Sequence, residues 1–468
     1  MNNRNPNGWN RKMDRRALLA ALGTFGIGMA GGNWLSRELD IGHGDGEVAS
    51  AAAAAASGAK TNWLNVKSFG AKGNNKTDDT AAFQKALKQA EGSVVYVPKG
   101  TYVISNTLQL KGSTSLIGDG KALSIIRMKA RGKDGIRIID ANQAYVGHIQ
   151  IRDVLNPGEG ESHGINVMSG KHVVLEHCQA FNCDNTGIRI GFDHKGVTED
   201  CKVLFCEVSQ VVEGSGIEVI RADGAVVLGC TVAECAQHGI RICGAKRATV
   251  SCNTLSYNNQ SDISIQGFGD GQDVSYRAER FLVSNNQCKG GGQNAGIMLF
   301  NYANNGIVSE NVVQNNVVGI EAYAPNQRGN YDVSFTNNVI MQCHTGIRIL
   351  GTQKRLYFKQ NAIMDFGLND LTKNSTQLTG IDINGLGESL NHIFVEHNSI
   401  TNAWSETAQI AVQVRELKGN AQIWIRHNQV ALRKPLSTGW LQHLGNEGTV
   451  ITRAGNEESN VMIPIENV

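Results

Sequence analysis

The densest titratable cluster over the coils from about 184 to 262 comprises Asp184, Arg189, Glu213, Glu218, His238, Arg241 and Asp262. Their types suit general acid–base chemistry, in which one carboxylic acid protonates a leaving group while a second carboxylate activates water. Glu218 and Asp262 are two copies apart in a repeated phrase. Stacked strands would set them about 9.6 Å apart along the stack, at or beyond the wide end for inverting glycoside hydrolysis. The same residues admit a second scheme, β-elimination from a uronate. There Arg241 or His238 takes the C5 proton, and an ion or Arg189 neutralises the sugar carboxylate. Asp184 and Glu213 complete the candidate catalytic set, and no metal ligand is assigned.

The phrase that must position these groups is Gly-Ile-x-Ile. It reads GIRI at 135–138, 187–190, 239–242 and 346–349, and GINV, GIEV, GIML, GIEA and GIDI at 164, 216, 296, 319 and 380. Looser copies are DISI at 262–265 and IAVQV at 410–414. Copies recur every 23 to 34 residues, the mark of a solenoid. Side chains alternate along a strand, so the isoleucines face a core and x faces outward. The x column runs Arg137, Asn166, Arg189, Glu218, Arg241, Ser264, Met298, Glu321, Arg348, Asp382 and Gln413. Its charges alternate at Arg189–Glu218–Arg241 and Glu321–Arg348–Asp382, which also suits a ladder of compensating surface pairs. Asp262 stands in place of the phrase glycine and is expected on the exposed face beside Ser264. A second strand in each coil ends in a small polar residue: Cys178, Cys206, Cys230, Asn253, Asn286, Asn311, Asn338, Asn361, Asn398 and Asn428. An asparagine column of this kind can hydrogen-bond from coil to coil at a sharp turn.

Ahead of the repeats, VKSFGAKGNNKTDDTAAFQKALKQA is followed by SVVYVPKGTYVIS and LIGDG. Asp78 and Asp79 can cap a helix with apolar positions Ala82, Phe83, Ala86, Leu87 and Ala90, and 94–97 and 101–104 read as two strands. This segment resembles the opening of the pectate-lyase-like superfamily, related to polygalacturonases, rhamnogalacturonases and epimerases. The resemblance implies an all-β, single-stranded right-handed parallel β-helix of roughly 11–12 coils behind an N-terminal helix cap. It also implies that the phrase sheet floors a groove for an extended sugar chain, walled by loops. Loops at 191–200, 266–280 and 322–332 vary most in length. They and their neighbours supply the candidate substrate-binding residues Arg189, Asp193, His194, Tyr302, Tyr323 and Arg328, forks and aromatic faces suited to an acidic polysaccharide.

Comparison with polygalacturonases is narrower. AQHGIRICG at 236–244 is similar to their Gly-His-Gly segment, with His238 at the matching histidine, and Asn185-Thr186-Gly187 is similar to their Asn-Thr-Asp. The paired aspartate of the intervening coil is replaced by Gly214-Ser215-Gly216, and the following Arg-x-Lys by Ile263-Ser264-Ile265. That chemistry therefore does not carry over, and the sequence leaves hydrolase, lyase and a non-catalytic glycan-binding or structural module open. Polysaccharide cleavage is the preferred reading. No cofactor is assigned with it, and Ca²⁺ is the ion a lyase would take.

With 54 Gly, 6 Pro and a net charge of +2, the 468 residues suit many short strands and argue against nucleic acid as a partner. Residues 1–32 hold a basic region and an apolar stretch too weak for a comfortable membrane span. Arg15-Arg16 before Ala17-Leu18-Leu19 resembles a bacterial twin-arginine export signal. The sequence thus predicts that the twin-arginine machinery exports the chain to an extracellular, periplasmic or cell-surface location, with no stable membrane span after processing. A disordered Ala-rich linker at 33–62 and a β-helix domain at 63–468 follow, the latter divided into cap (63–120), coils (121–430) and C-terminal cap (431–468). The ten cysteines are expected to be mostly interior thiols, with room for one or two disulfides. A homotrimer is compatible with the fold class.

Overall fold

Three long parallel sheets run the length of the molecule, because each coil contributes one short strand to each sheet. The computed structural model describes residues 63–156, 162–192, 198–267, 276–367, 377–388, 390–403, 405, 407–417, 421–435, 441–444 and 450–459. Asp193, His194 and the whole of 1–62 lie outside them. The result is a right-handed parallel β-helix of about 12 turns with almost no helix.

One coil shows the pattern. The phrase strand Thr186–Gly191 is followed by Lys202–Leu204 in the second sheet and, after a tight corner at Cys206, by Glu207–Val211 in the third. The next phrase strand is Ile217–Ile220. The phrase isoleucines fill the core: Ile136, Ile165, Ile188, Ile217, Ile240, Ile263 and Ile297 are all fully buried. Cross-strand register pairs the x residues in unbroken succession from Arg137 to Gln413.

The phrase glycine stands at the opening of the strand, within its first residues at Gly164, Gly187 and Gly296 and just before it at Gly216 and Gly239, and its Cβ direction points inward. A Cβ on Gly216 would lie 2.3 Å from Val232 Cγ1, so only glycine fits that approach. This geometry corrects the expectation for Asp262. Its side chain turns into the interior and is fully buried rather than sharing the outer face with Ser264.

The asparagine column forms a continuous ladder from Asn253 through Asn428, extended by Asn456. Each side-chain oxygen accepts both the backbone and side-chain N–H of the preceding coil's asparagine, and each Nδ2 also donates to a core-strand carbonyl. Cys178, Cys206 and Cys230 head the column, and the Cys230 amide donates to Asn253 at 2.8 Å. All ten thiols are free, nine of them buried. At the N-terminal end, helix Thr80–Gln89 buries Ala82, Phe83, Ala86 and Leu87 over the first coil. Asp79 occupies the cap position without capping. Its carboxylate instead takes the Lys72 and Gly73 amides at 2.7 and 3.0 Å, and Asp78 accepts from the Thr80 amide at 3.0 Å.

Candidate functional site

Outward side chains on the phrase sheet are more covered than a plain groove floor would be. Asn166, Arg189, Glu218, Ser264, Met298, Glu321 and Asp382 are all buried. Long neighbours lie along the sheet and cover shorter ones, since strands under 5 Å apart bring successive side chains into contact. Arg348 Nε reaches Glu321 at 2.7 Å, and Arg415 grips Asp382 with two bonds at 3.1 and 2.8 Å. Asp382 is therefore paired from the side by Arg415, not along the column by Arg348. Met298 packs with Ala295 and Val318 in an apolar cluster that divides the two charged stretches.

A pocket of about 270 Å³ opens in the first charged stretch, lined by His163, Asn185, Thr186, Arg189, Phe192, Glu213, Gly214, Glu218, Ile220, Gln237 and Arg241. Its floor is the x column itself. Glu218 is held from both sides: Thr186 Oγ1 of the preceding coil donates to Oε2 at 3.1 Å, and Arg241 Nη1 of the following coil to Oε1 at 3.2 Å. Arg241 is held in turn by the Gln266 amide oxygen, which accepts Nε and Nη2 at 3.1 and 2.7 Å when the amide is oriented toward those donors. Arg189 lies over the Phe192 ring at 4.6 Å and donates to Asn166 at 3.4 Å. Glu213 lies on the corner wall, exposed, where Gln237 Nε2 donates to its backbone oxygen at 2.8 Å. Gly214 beside it is required: a Cβ there would sit 1.4 Å from the Asn185 carbonyl oxygen.

Of the six candidate catalytic residues, the pocket thus gathers Glu213, Glu218 and Arg241. Asp184 is not among its lining residues and accepts the Asn156 amide at 2.5 Å. His238 is buried outside the lining, where desolvation and then the Arg241 charge push its pKa down to about 3, so the imidazole is neutral near pH 7. Asp262 points into the core. Among the substrate-binding candidates, Arg189 lines the pocket. Tyr323 lies on strand Val318–Ala324 rather than in a loop, against Phe300 at 5.5 Å and three coils, about 14 Å, beyond Arg241. Tyr302 is grouped with Arg277, and Arg328 offers its carbonyl to the Tyr302 amide; neither lines the pocket. Among the described residues no three His, Cys, Asp or Glu side chains converge to hold a metal.

Thr186 is the functional residue that the sequence reading passed over. A signal was present, because the residue before the phrase glycine is repeatedly polar: Asp134, His163, Thr186, Ser215, His238, Ser261. Two of these side chains bond the x residue one coil on, Asp134 with Asn166 and Thr186 with Glu218. Thr186→Val keeps the bulk and strips Glu218 Oε2 of its donor, so any turnover at this pocket should fall about tenfold, with Thr186→Ser restoring it. Parallel rate measurements on the two variants check this.

Two family models match the chain: rhamnogalacturonase A/epimerase, pectate lyase-like, over residues 63–266, and right-handed β-helix region over 199–430. Both matches agree with the three-sheet solenoid: the chain is a right-handed parallel β-helix, similar over these spans to pectate-lyase-like families. A preneck appendage protein of Bacillus phage PZA is 22% identical over 296 residues, 61% of this chain and 27% of the relative. A glucan 1,3-beta-glucosidase of Cochliobolus carbonum is 31% identical over 159 residues, 27% of this chain and 20% of that protein. The chain thus spans about a quarter of the length of these relatives. Among solved structures, the A-module of a mannuronan C-5 epimerase from Azotobacter vinelandii superimposes with a TM-score of 0.55 at 16% identity, covering 85% of this chain and all of the module. That likeness is one of fold.

Proposed function

We propose that this protein is an exported glycan-processing β-helix that cleaves an extended, acidic polysaccharide by hydrolysis at the Glu213–Glu218 pocket. The observation that carries the reading is that two carboxylates and two guanidinium groups face one pocket on the phrase sheet. Glu213, exposed on the wall, is the group free to meet a glycosidic oxygen and give it a proton. Glu218, oriented by Thr186 and Arg241, takes a proton from the water that attacks the anomeric carbon. The C–O bond breaks, the hydroxyl from water joins the sugar, and two shorter chains leave. Arg189 beside Phe192 supplies a cation and a ring face for a uronate residue. Hydrolysis is preferred over β-elimination because both candidate bases for the latter are engaged or absent: Arg241 is tied to Glu218 and Gln266, and His238 does not reach the pocket. Export follows from the Arg15-Arg16 segment.

The similarity to a phage appendage protein, across more of the chain than the glucosidase match, favours a second reading: a glycan-binding or structural module that does not cleave. One experiment separates the readings. The protein is incubated with a panel of uronate and neutral polysaccharides, and reducing ends, absorbance of unsaturated products and binding are followed together. New reducing ends without unsaturated products support hydrolysis. Unsaturated products overturn the two-carboxylate scheme, and binding with neither signal supports the module.

A further inference from the structure

Asp262 breaks a size pattern that several other copies of the phrase share. The phrase glycines Gly164, Gly216, Gly296 and Gly319 point their Cβ directions at a side chain on the next coil's corner, respectively Cys183, Cys235, Asn316 and Cys343. At Asp262 the sizes are exchanged, because the corner facing it is Gly291. The carboxyl group occupies the room that a corner side chain takes elsewhere.

Its polar partners there are unbalanced. Asn258 Nδ2 donates to Asp262 Oδ1 at 2.9 Å. Asp262 Oδ2 and Asn316 Oδ1 are both buried acceptors without a donor, and both border the same space: a Cβ on Gly291 would lie 3.2 Å from the first and 2.4 Å from the second. Asn316 Nδ2 is engaged, donating to the Gln314 carbonyl at 3.0 Å, and turning the amide toward Asp262 would give up that bond. Two buried acceptors facing one space are costly, and a single proton between them removes the cost. We propose that Asp262 is held as a neutral carboxylic acid whose O–H donates to Asn316, a proton-operated tie between coils two apart.

The surroundings agree. Burial pushes the Asp262 carboxyl up to about 7, opposed only by the Asn258 bond. The titratable groups facing it are the thiols of Cys235, Cys288 and Cys343, each raised by burial and so uncharged, Cys343 to about 12. No cation among the described residues offsets an Asp262 charge. The tie also underlies the pocket, because the Ser261 and Asp262 carbonyls accept the Gly239 and Ile240 amides at the start of the strand carrying Arg241.

A carboxyl raised in the folded state stabilises fully below its unfolded value of 3.8 and loses that stability as pH climbs through about 7. The unfolding constant of the full chain should therefore rise by up to tenfold per pH unit across that window from this one proton. Asp262→Asn mimics the protonated acid, its amide oxygen facing Asn258 and its N–H facing Asn316. Urea unfolding of this variant should show a pH slope smaller by one proton, and stability at pH 8 at or above that of the parent. Independently, difference infrared spectra of the unmodified protein at pH 6 should carry a buried carboxylic-acid carbonyl band that Asp262→Asn lacks. Equal slopes, or no such band, overturn the proposal.

Discussion

Glu218→Gln is expected to lower polysaccharide hydrolysis by about 10²–10⁴-fold, the range that a positioned general base contributes. The substitution is nearly isosteric. The amide oxygen can still accept from Thr186, and Arg241 keeps its bonds to Gln266, so the pocket should persist. What is lost is the lone pair that removes a proton from water. Reducing ends released by the variant and the parent, at equal folded concentration and saturating glycan, measure the loss. Glycan binding should change far less than rate, because Arg189 and Phe192 are untouched. A variant that retains full rate would remove Glu218 from the chemistry. A parent with no rate at all but intact binding would move the whole pocket to the module reading.

The two oxygens of Glu218 show why the pocket was only partly legible in the sequence. Register was readable: the spacing of Gly-Ile-x-Ile put Arg189, Glu218 and Arg241 on neighbouring strands, and the structure pairs them so. Reading x as outward was right as well. Period-2 alternation, however, says nothing about corners, and Asp262 is a corner residue. Its direction follows from backbone bending before the strand and from the size of residue 291, which lies 29 positions on and carries no signal in the local pattern. His238 failed for a related reason, since an imidazole in the column beside x is covered by its own neighbours. Coverage of the face by Arg241, Arg348 and Arg415 is a property of long side chains in three dimensions, so an exposed ladder and a buried one look alike in one dimension.

The asparagine column was the most legible feature of the fold, and it carries the second large effect. Asn338→Ala should destabilise the protein by about 4 kcal/mol, more than a surface substitution costs, because several buried groups lose partners at once. The Asn311 amide loses its acceptor, and the Asn311 side chain loses one of two. On the other side, the Val308 carbonyl and Asn361 Oδ1 lose the Nδ2 donor. Asn338 is fully buried, so the groups left behind are cut off from bulk solvent. The corner is also one where ordinary residues accept left-handed backbone: Phe205, Glu310, Asn337 and Gln360 have φ between 51° and 57°. Such conformations cost about 1 kcal/mol or more each and persist only where surrounding bonds hold them. The ladder is that restraint, so its removal at one rung also releases the turn at Asn337. Asn456 tests the account from the other end. It is half-exposed and its Oδ1 takes the two Asn428 N–H groups, so Asn456→Ala should cost about 1–2 kcal/mol. Urea midpoints for the two variants, each followed by far-ultraviolet circular dichroism and by tryptophan fluorescence, should fall in that order. Equal midpoints would show that the column is held by backbone pairing alone.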